Sequence, residues 1–154
     1  MRVYLPSTLP RIRELVASGT VAPAPLKGFA VTDALRSAVE GDEEELEYEA
    51  FTAAANASLE LLAEDPDAPR RRVVLAVEIT DTVVDTDPAG APGASPAGVT
   101  VEAQIPRKRV AAAHVDDPAA EEAVAAALGP GDAAGLEDHD LLWFATQELR
   151  YIEE

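Results

Sequence analysis

The chain contains two histidines, and both sit among carboxylates: His114 is followed by Asp116 and Asp117, and His139 lies between Asp138 and Asp140. Imidazole and carboxylate together form a donor set for a divalent ion such as Zn, Mn or Fe. A metal held by His114, Asp116, Asp138, His139 and Asp140 would polarise a substrate or activate water, with a spare carboxylate as base. That is the chemistry of a small metal-dependent hydrolase. If residues 110–116 form a strand, alternation with period two puts His114 and Asp116 on one face near its carboxyl end, where α/β folds commonly bind ligands. A structural explanation competes: Asp117 before Pro118 suits a helix cap, and Asp138 and Asp140 suit loop or capping positions.

A second cluster is basic. Arg70, Arg71, Arg72, Arg107, Lys108 and Arg109 carry half of the chain's positive charge. If residues 73–79 and 99–105 pair as an antiparallel hairpin with Ile79 near Val99, the two triplets meet at the end opposite the loop. The patch would suit a phosphate, a nucleotide or an acidic partner. It would equally suit pairing with the acidic run at residues 42–49, or a charged edge that resists aggregation. The chain has no GxGxxG, P-loop, GxSxG or HExxH motif. Trp143 and Phe144 adjoin Leu141 and Leu142 and lack basic neighbours, so they read as core rather than as a stacking platform.

The elements that would position these groups are short. Arg2 to Leu5 reads as a buried strand, and Leu9, Ile12, Leu15 and Val16 follow at helical spacing until Gly19. An extended connector, Thr20 to Lys27, leads to a strand at Gly28 to Val31, and Thr32 or Asp33 caps a helix that stops at Gly41. Asp42 opens the longest helix, whose glutamates crowd its positive end and need no functional explanation. Its apolar stripes, Leu46, Ala50, Ala54, Ala57, Leu61 and Phe51, Ala55, Leu59, Leu62, predict a helix lying across a sheet. Val73 to Ile79, Val99 to Ile105 and Val110 to Val115 are β-branched runs. Residues 81–98, rich in Pro and Gly, predict a mobile tip. Asp117 and Pro118 start a helix ending near Leu128, and residues 141–152 suit a strand then a helix better than one continuous helix. Strand, polar cap and helix recur at residues 5–9, 31–35, 115–119 and 144–149. The expected architecture is therefore one α/β domain spanning 1–154, with helices packed on a mixed sheet of five or six strands that includes one antiparallel hairpin. A two-layer α+β arrangement is the alternative.

Charge narrows the partners. A formal net charge of -17 repels nucleic acid and anionic membranes unless a local patch intervenes, although such charge also simply maintains solubility. The absence of cysteine fits a reducing compartment and removes disulfide and thiolate chemistry. No apolar run is long enough for a signal peptide or a membrane span, so cytoplasm is the expected location.

The ordered segments Arg2-Val3-Tyr4-Leu5-Pro6, Gly28-Phe29-Ala30-Val31-Thr32, Gly41-Asp42-Glu43-Glu44-Glu45-Leu46-Glu47-Tyr48, Arg71-Arg72-Val73-Val74-Leu75-Ala76, His114-Val115-Asp116-Asp117-Pro118 and Asp138-His139-Asp140-Leu141-Leu142-Trp143 resemble a family of uncharacterised small acidic proteins from high-GC actinobacteria. The resemblance covers nearly the whole chain outside residues 85–97. It implies a single short domain and transfers no catalytic residue. The leading expectation is a non-enzymatic cytosolic interaction or regulatory protein that contacts a protein partner through its acidic helix or basic hairpin end. The metal hydrolase and the anion-binding module stand as alternatives.

Overall fold

The computed structural model describes residues 1–21, 26–80, 84–86, 96–128 and 140–152. The elements in order are β1 (Arg2–Ser7), α1 (Leu9–Ser18), β2 (Thr20–Val21), β3 (Leu26–Phe29), α2 (Asp33–Ala38), α3 (Glu43–Glu64), β4 (Val73–Glu78), β5 (Val84–Thr86), β6 (Gly98–Val101), β7 (Ile105–Pro106), β8 (Val110–Asp116), α4 (Glu121–Leu128) and β9 (Leu141–Ala145). Short 3-10 turns occupy Arg107–Arg109 and Pro118–Ala120, and a longer one, Thr146–Tyr151, follows β9. The strand-then-helix reading of the last segment is the one found, with the helix wound as 3-10.

Local chemistry accounts for most boundaries. Gly19 ends α1 in the left-handed region at φ 81°, its N–H donating to the Leu15 carbonyl at 2.8 Å, a conformation in which a side chain would be strained. Of the two candidate caps for α2, Thr32 is the one used, accepting from the Leu35 N–H at 3.0 Å. Asp42 caps α3 by accepting from the Glu45 N–H at 2.9 Å, and Glu43, Glu44 and Glu45 fill the first turn.

The main sheet has seven strands in the order β5-β6-β3-β1-β4-β8-β9, and β2 pairs with β7 as a separate ribbon. All the described pairs are antiparallel, so the α+β form is realised and the expected parallel pairs are not. The recurrent strand-cap-helix device misleads because it bears on direction and not on adjacency: β3 and β4, joined through α2 and α3, run the same way, each antiparallel to β1, but β1 lies between them. The expected hairpin between residues 73–79 and 99–105 is also absent. β4 lies between β1 and β8, while β6 lies between β3 and β5, and Ile105 belongs to β7. Hydrophobicity marked these strands, but it carries no label for the partner. Of the loop expected to be mobile, residues 81–83 and 87–95 lie outside the described residues; residues 84–86 are β5.

The central strands are buried on both faces. Val3, Leu5, Val73, Leu75, Val77, Ala113 and Val115 pack with Leu9, Ile12 and Leu15 of α1 and with Leu149. On the other face, Tyr4, Val74, Ala76 and Ala112 pack with Leu35 of α2 and with Leu46, Ala50 and Ala54 of α3. Leu62 and Val124 join α3 to α4. Gly28 is required where β3 crosses β1: a Cβ there would stand 2.7 Å from Val3 Cγ1 and 2.9 Å from Leu5 Cδ2. No helix among the described residues is long and apolar enough to cross a membrane.

Candidate functional site

α3 lies over β3, β1 and β4. On the same face of the sheet, the space between α3 and the last two strands is a cleft of about 880 Å³. Its wall is a helical stripe, Glu44, Glu47, Tyr48, Phe51, Ala55 and Leu59, spaced to share one side of α3. Its floor is set by register: His114 stands opposite Val74 on β4 and Trp143 on β9, and Asp116 stands opposite Leu141.

His114 is half-buried, its ring edge-to-face with Phe51 at 4.9 Å between centroids. Phe51 in turn meets Tyr4 edge-to-face at 5.8 Å. Burial, reinforced by the Arg2 charge, holds the His114 imidazole below its ordinary 6.5. Burial, with Glu47 nearby, pushes the Tyr4 phenol above its ordinary value. At neutral pH the deep part of the cleft thus presents a neutral imidazole and a neutral phenol. The His114 shift also has a consequence for stability. As pH falls, the unfolded chain takes up the proton first, so the imidazole's contribution is complete above about pH 6.5 and is lost as pH falls through the lower folded value. Wild type should lose stability relative to His114→Asn across that window in paired thermal melts. Parallel pH profiles for the two proteins would contradict the burial.

Of the sequence-derived metal set, His114, Asp116 and Asp140 are among the described residues. Asp116 is on the same face as His114, as alternation required, but its carboxylate is fully occupied as an ion-pair acceptor. Oδ2 accepts from the Arg72 N–H and Nε, both at 2.8 Å, and Oδ1 accepts from Nη2 at 2.9 Å. Its carbonyl accepts from Arg71 Nε at 2.8 Å. Asp117 caps the following 3-10 turn through the Ala119 N–H at 2.9 Å. Asp140 lines the cleft with His114, and Asp138 and His139 lie outside the described residues. Among the described residues no three His, Cys, Asp or Glu side chains are grouped to hold an ion.

The basic patch does not assemble. β4 and β8 are antiparallel, with Val73 opposite Val115 and Val77 opposite Val110. Arg70, Arg71 and Arg72 therefore stand at one end of the pair and Arg107, Lys108 and Arg109 at the other, roughly 20 Å away along the strands. Arg70 caps the end of α3 through the Leu62, Asp65 and Pro66 carbonyls, while Arg71 and Arg72 hold Asp116. For Arg72 an acidic partner is the Asp116 side chain.

Trp143 corrects the sequence reading most. Phe144 turns to the α1 face and joins that core, but Trp143 turns to the cleft and is 62% exposed. Leu141 and Leu142 suggest a buried neighbourhood, but among the described residues β9 is the last strand of the sheet. The signal available beforehand was the stripe on α3, which mixes carboxylates with Tyr48 and Phe51 at helical spacing.

None of the curated proteins and none of the solved structures compared with the chain matches it. A family model described as a family of unknown function matches residues 1–152, and the chain belongs to that family, DUF6912.

Proposed function

We propose that this is a non-catalytic binding protein whose cleft between α3 and β8–β9 receives a cationic group of a basic partner. The observation that carries the reading is the composition of the cleft: the rings of Tyr4, Tyr48, Phe51 and Trp143 beside the carboxylates of Glu44, Glu47 and Asp140. Aromatic faces attract ammonium and guanidinium groups through their quadrupoles, most strongly at tryptophan. Among the described residues the cleft's two arginines are already engaged, Arg2 with Glu78 and Arg72 with Asp116. The remaining carboxylates set the sign of the site. An exposed tryptophan ringed by polar groups is also a typical binding anchor, and the net charge of -17 accelerates encounter with a basic partner. For the compartment we take the cytoplasm of a high-GC actinobacterium, supported by the cysteine-free, arginine-rich, alanine- and proline-rich composition.

Trp143 is the chain's single tryptophan, so its fluorescence reports on the site. Titration with arginine amide, lysine amide or tetramethylammonium should change the emission saturably, and glutamate at matched ionic strength should not. Glu47→Lys should weaken the cation response by about tenfold, equivalent to about 1.4 kcal/mol, and added salt should weaken it in wild type. No saturation with any cation, or an equal response to glutamate, would overturn the reading.

A further inference from the structure

Among the described residues the sheet ends at β9, and the hydrogen bonds around that strand determine where its main chain points. In an antiparallel pair, opposed residues alternate between exchanging both backbone bonds and pointing both groups away from one another. The Asp116 N–H donates to the Arg72 carbonyl at 3.0 Å, on the β4 side, so Asp116 and its partner Leu141 form a pair without mutual bonds. At the other end of the strand, the Ala145 N–H donates to Glu148 Oε1 at 2.9 Å, so Ala145 does not bond Ala112 through that group. Both observations give the same parity. Leu141 and Trp143 direct their N–H and C=O groups away from β8, and among the described residues β9 pairs with β8 alone.

Within its own sequence, β9 carries none of the usual protections. Natural edge strands carry lysine, proline or a bulge that discourages pairing, whereas β9 reads Leu-Leu-Trp-Phe-Ala. The same two residues that offer main-chain groups outward, Leu141 and Trp143, place their side chains in the cleft. A strand laid against β9 would therefore send every second side chain, about 6.8 Å apart, over the cleft mouth beside Trp143.

We infer that β9 accepts an extended, lysine- or arginine-rich segment of a partner protein as an eighth strand, its alternate basic side chains entering the aromatic and acidic cleft. The inference rests on the cation-binding reading above and adds the backbone as the second recognition element. Charge complementarity selects this occupant over a second copy of the chain, because two copies would each bring 17 net negative charges to a shared edge.

The test uses the full chain and nine-residue peptides alternating lysine with valine, read by Trp143 fluorescence. One peptide is unmodified, two are N-methylated on one or the other set of alternate amides, and one carries glutamate in place of lysine. Strand addition expects one methylated set to weaken binding at least tenfold, since its amides face β9, and the other set to change it less than about threefold. Leu141→Pro removes an outward N–H that β8 does not use. It should weaken the unmodified peptide at least tenfold, with folding checked by thermal melt. If both methylated peptides bind like the parent, strand addition fails and the cation reading stands. If the glutamate peptide binds as well as the lysine peptide, the cation reading fails as well. A dimer at micromolar concentration in sedimentation, abolished by Leu141→Pro, would assign the edge to a second copy and overturn the inference.

Discussion

Replacing Asp116 with alanine is expected to cost about 3–5 kcal/mol of stability, lowering the melting temperature by roughly 6–20 °C for a chain of this size. The Asp116 side chain is 0% exposed and that of Arg72 8%, so the substitution takes the carboxylate away from a guanidinium in a place water barely reaches. The lesion is local but joins three strands. Asp116 closes the end of β8, Arg72 leads into β4, and Leu141 opposite Asp116 begins β9. Replacing both partners at once, Arg72→Met with Asp116→Leu, should recover much of the loss, because a buried pair removed whole leaves no orphan charge. Chemical denaturation of the two variants measures both effects. A loss below about 1 kcal/mol for the single alanine variant, the range of ordinary surface changes, would mean the pair is not buried as described.

Ser58→Ala should be the most costly change of a single oxygen in α3. Ser58 is fully buried; its hydroxyl donates to the Ser7 carbonyl at 2.8 Å and accepts from the Val73 N–H at 3.0 Å. One atom thereby ties the helix to the end of β1 and the start of β4. Removing it orphans a buried acceptor and a buried donor, at about 1–3 kcal/mol each, or about 2–4 kcal/mol in total after local relaxation. Urea unfolding gives the magnitude, and the Val73 amide should become the fastest-exchanging amide of β4. Exchange unchanged at Val73, with a loss below about 0.5 kcal/mol, would indicate a water taking the place of the hydroxyl.

The two residues illustrate what could be read in advance. Strand and helix positions follow from nearest-neighbour chemistry: β-branched runs at Val73 and Val110, caps at Thr32, Asp42 and Asp117, and the stop at Gly19 all act within a few residues. Ser58 falls outside that logic. Helical spacing of apolar residues puts Ala57 and Leu61 in one stripe and Leu62 in its neighbour, while the buried line runs through Ser58 to Leu62; a polar group is welcome in a core only where distant backbone groups await it. Partner choice among strands is equally non-local: β-branched runs alone suggest pairing residues 73–79 with 99–105, which would bring the arginine triplets together, and the sheet does neither. The candidate site was half legible. His114 and Asp116 do share a face, but Arg72, arriving from another strand, commits the carboxylate to structure. Trp143 could be assigned outward only once β9 was known to end the sheet.

Strand β1 stands at the centre of the sheet although its partner β4 follows much later, Arg2 meeting Glu78 across 76 positions. On a ribosome adding about 5–20 residues per second, roughly 4–15 s separate the synthesis of the two. Throughout that interval the nascent Val3-Tyr4-Leu5 segment has no neighbour on its β4 side. Arg2 and Pro6, which bracket it, are the kinds of residue that act as gatekeepers against self-association of such a segment.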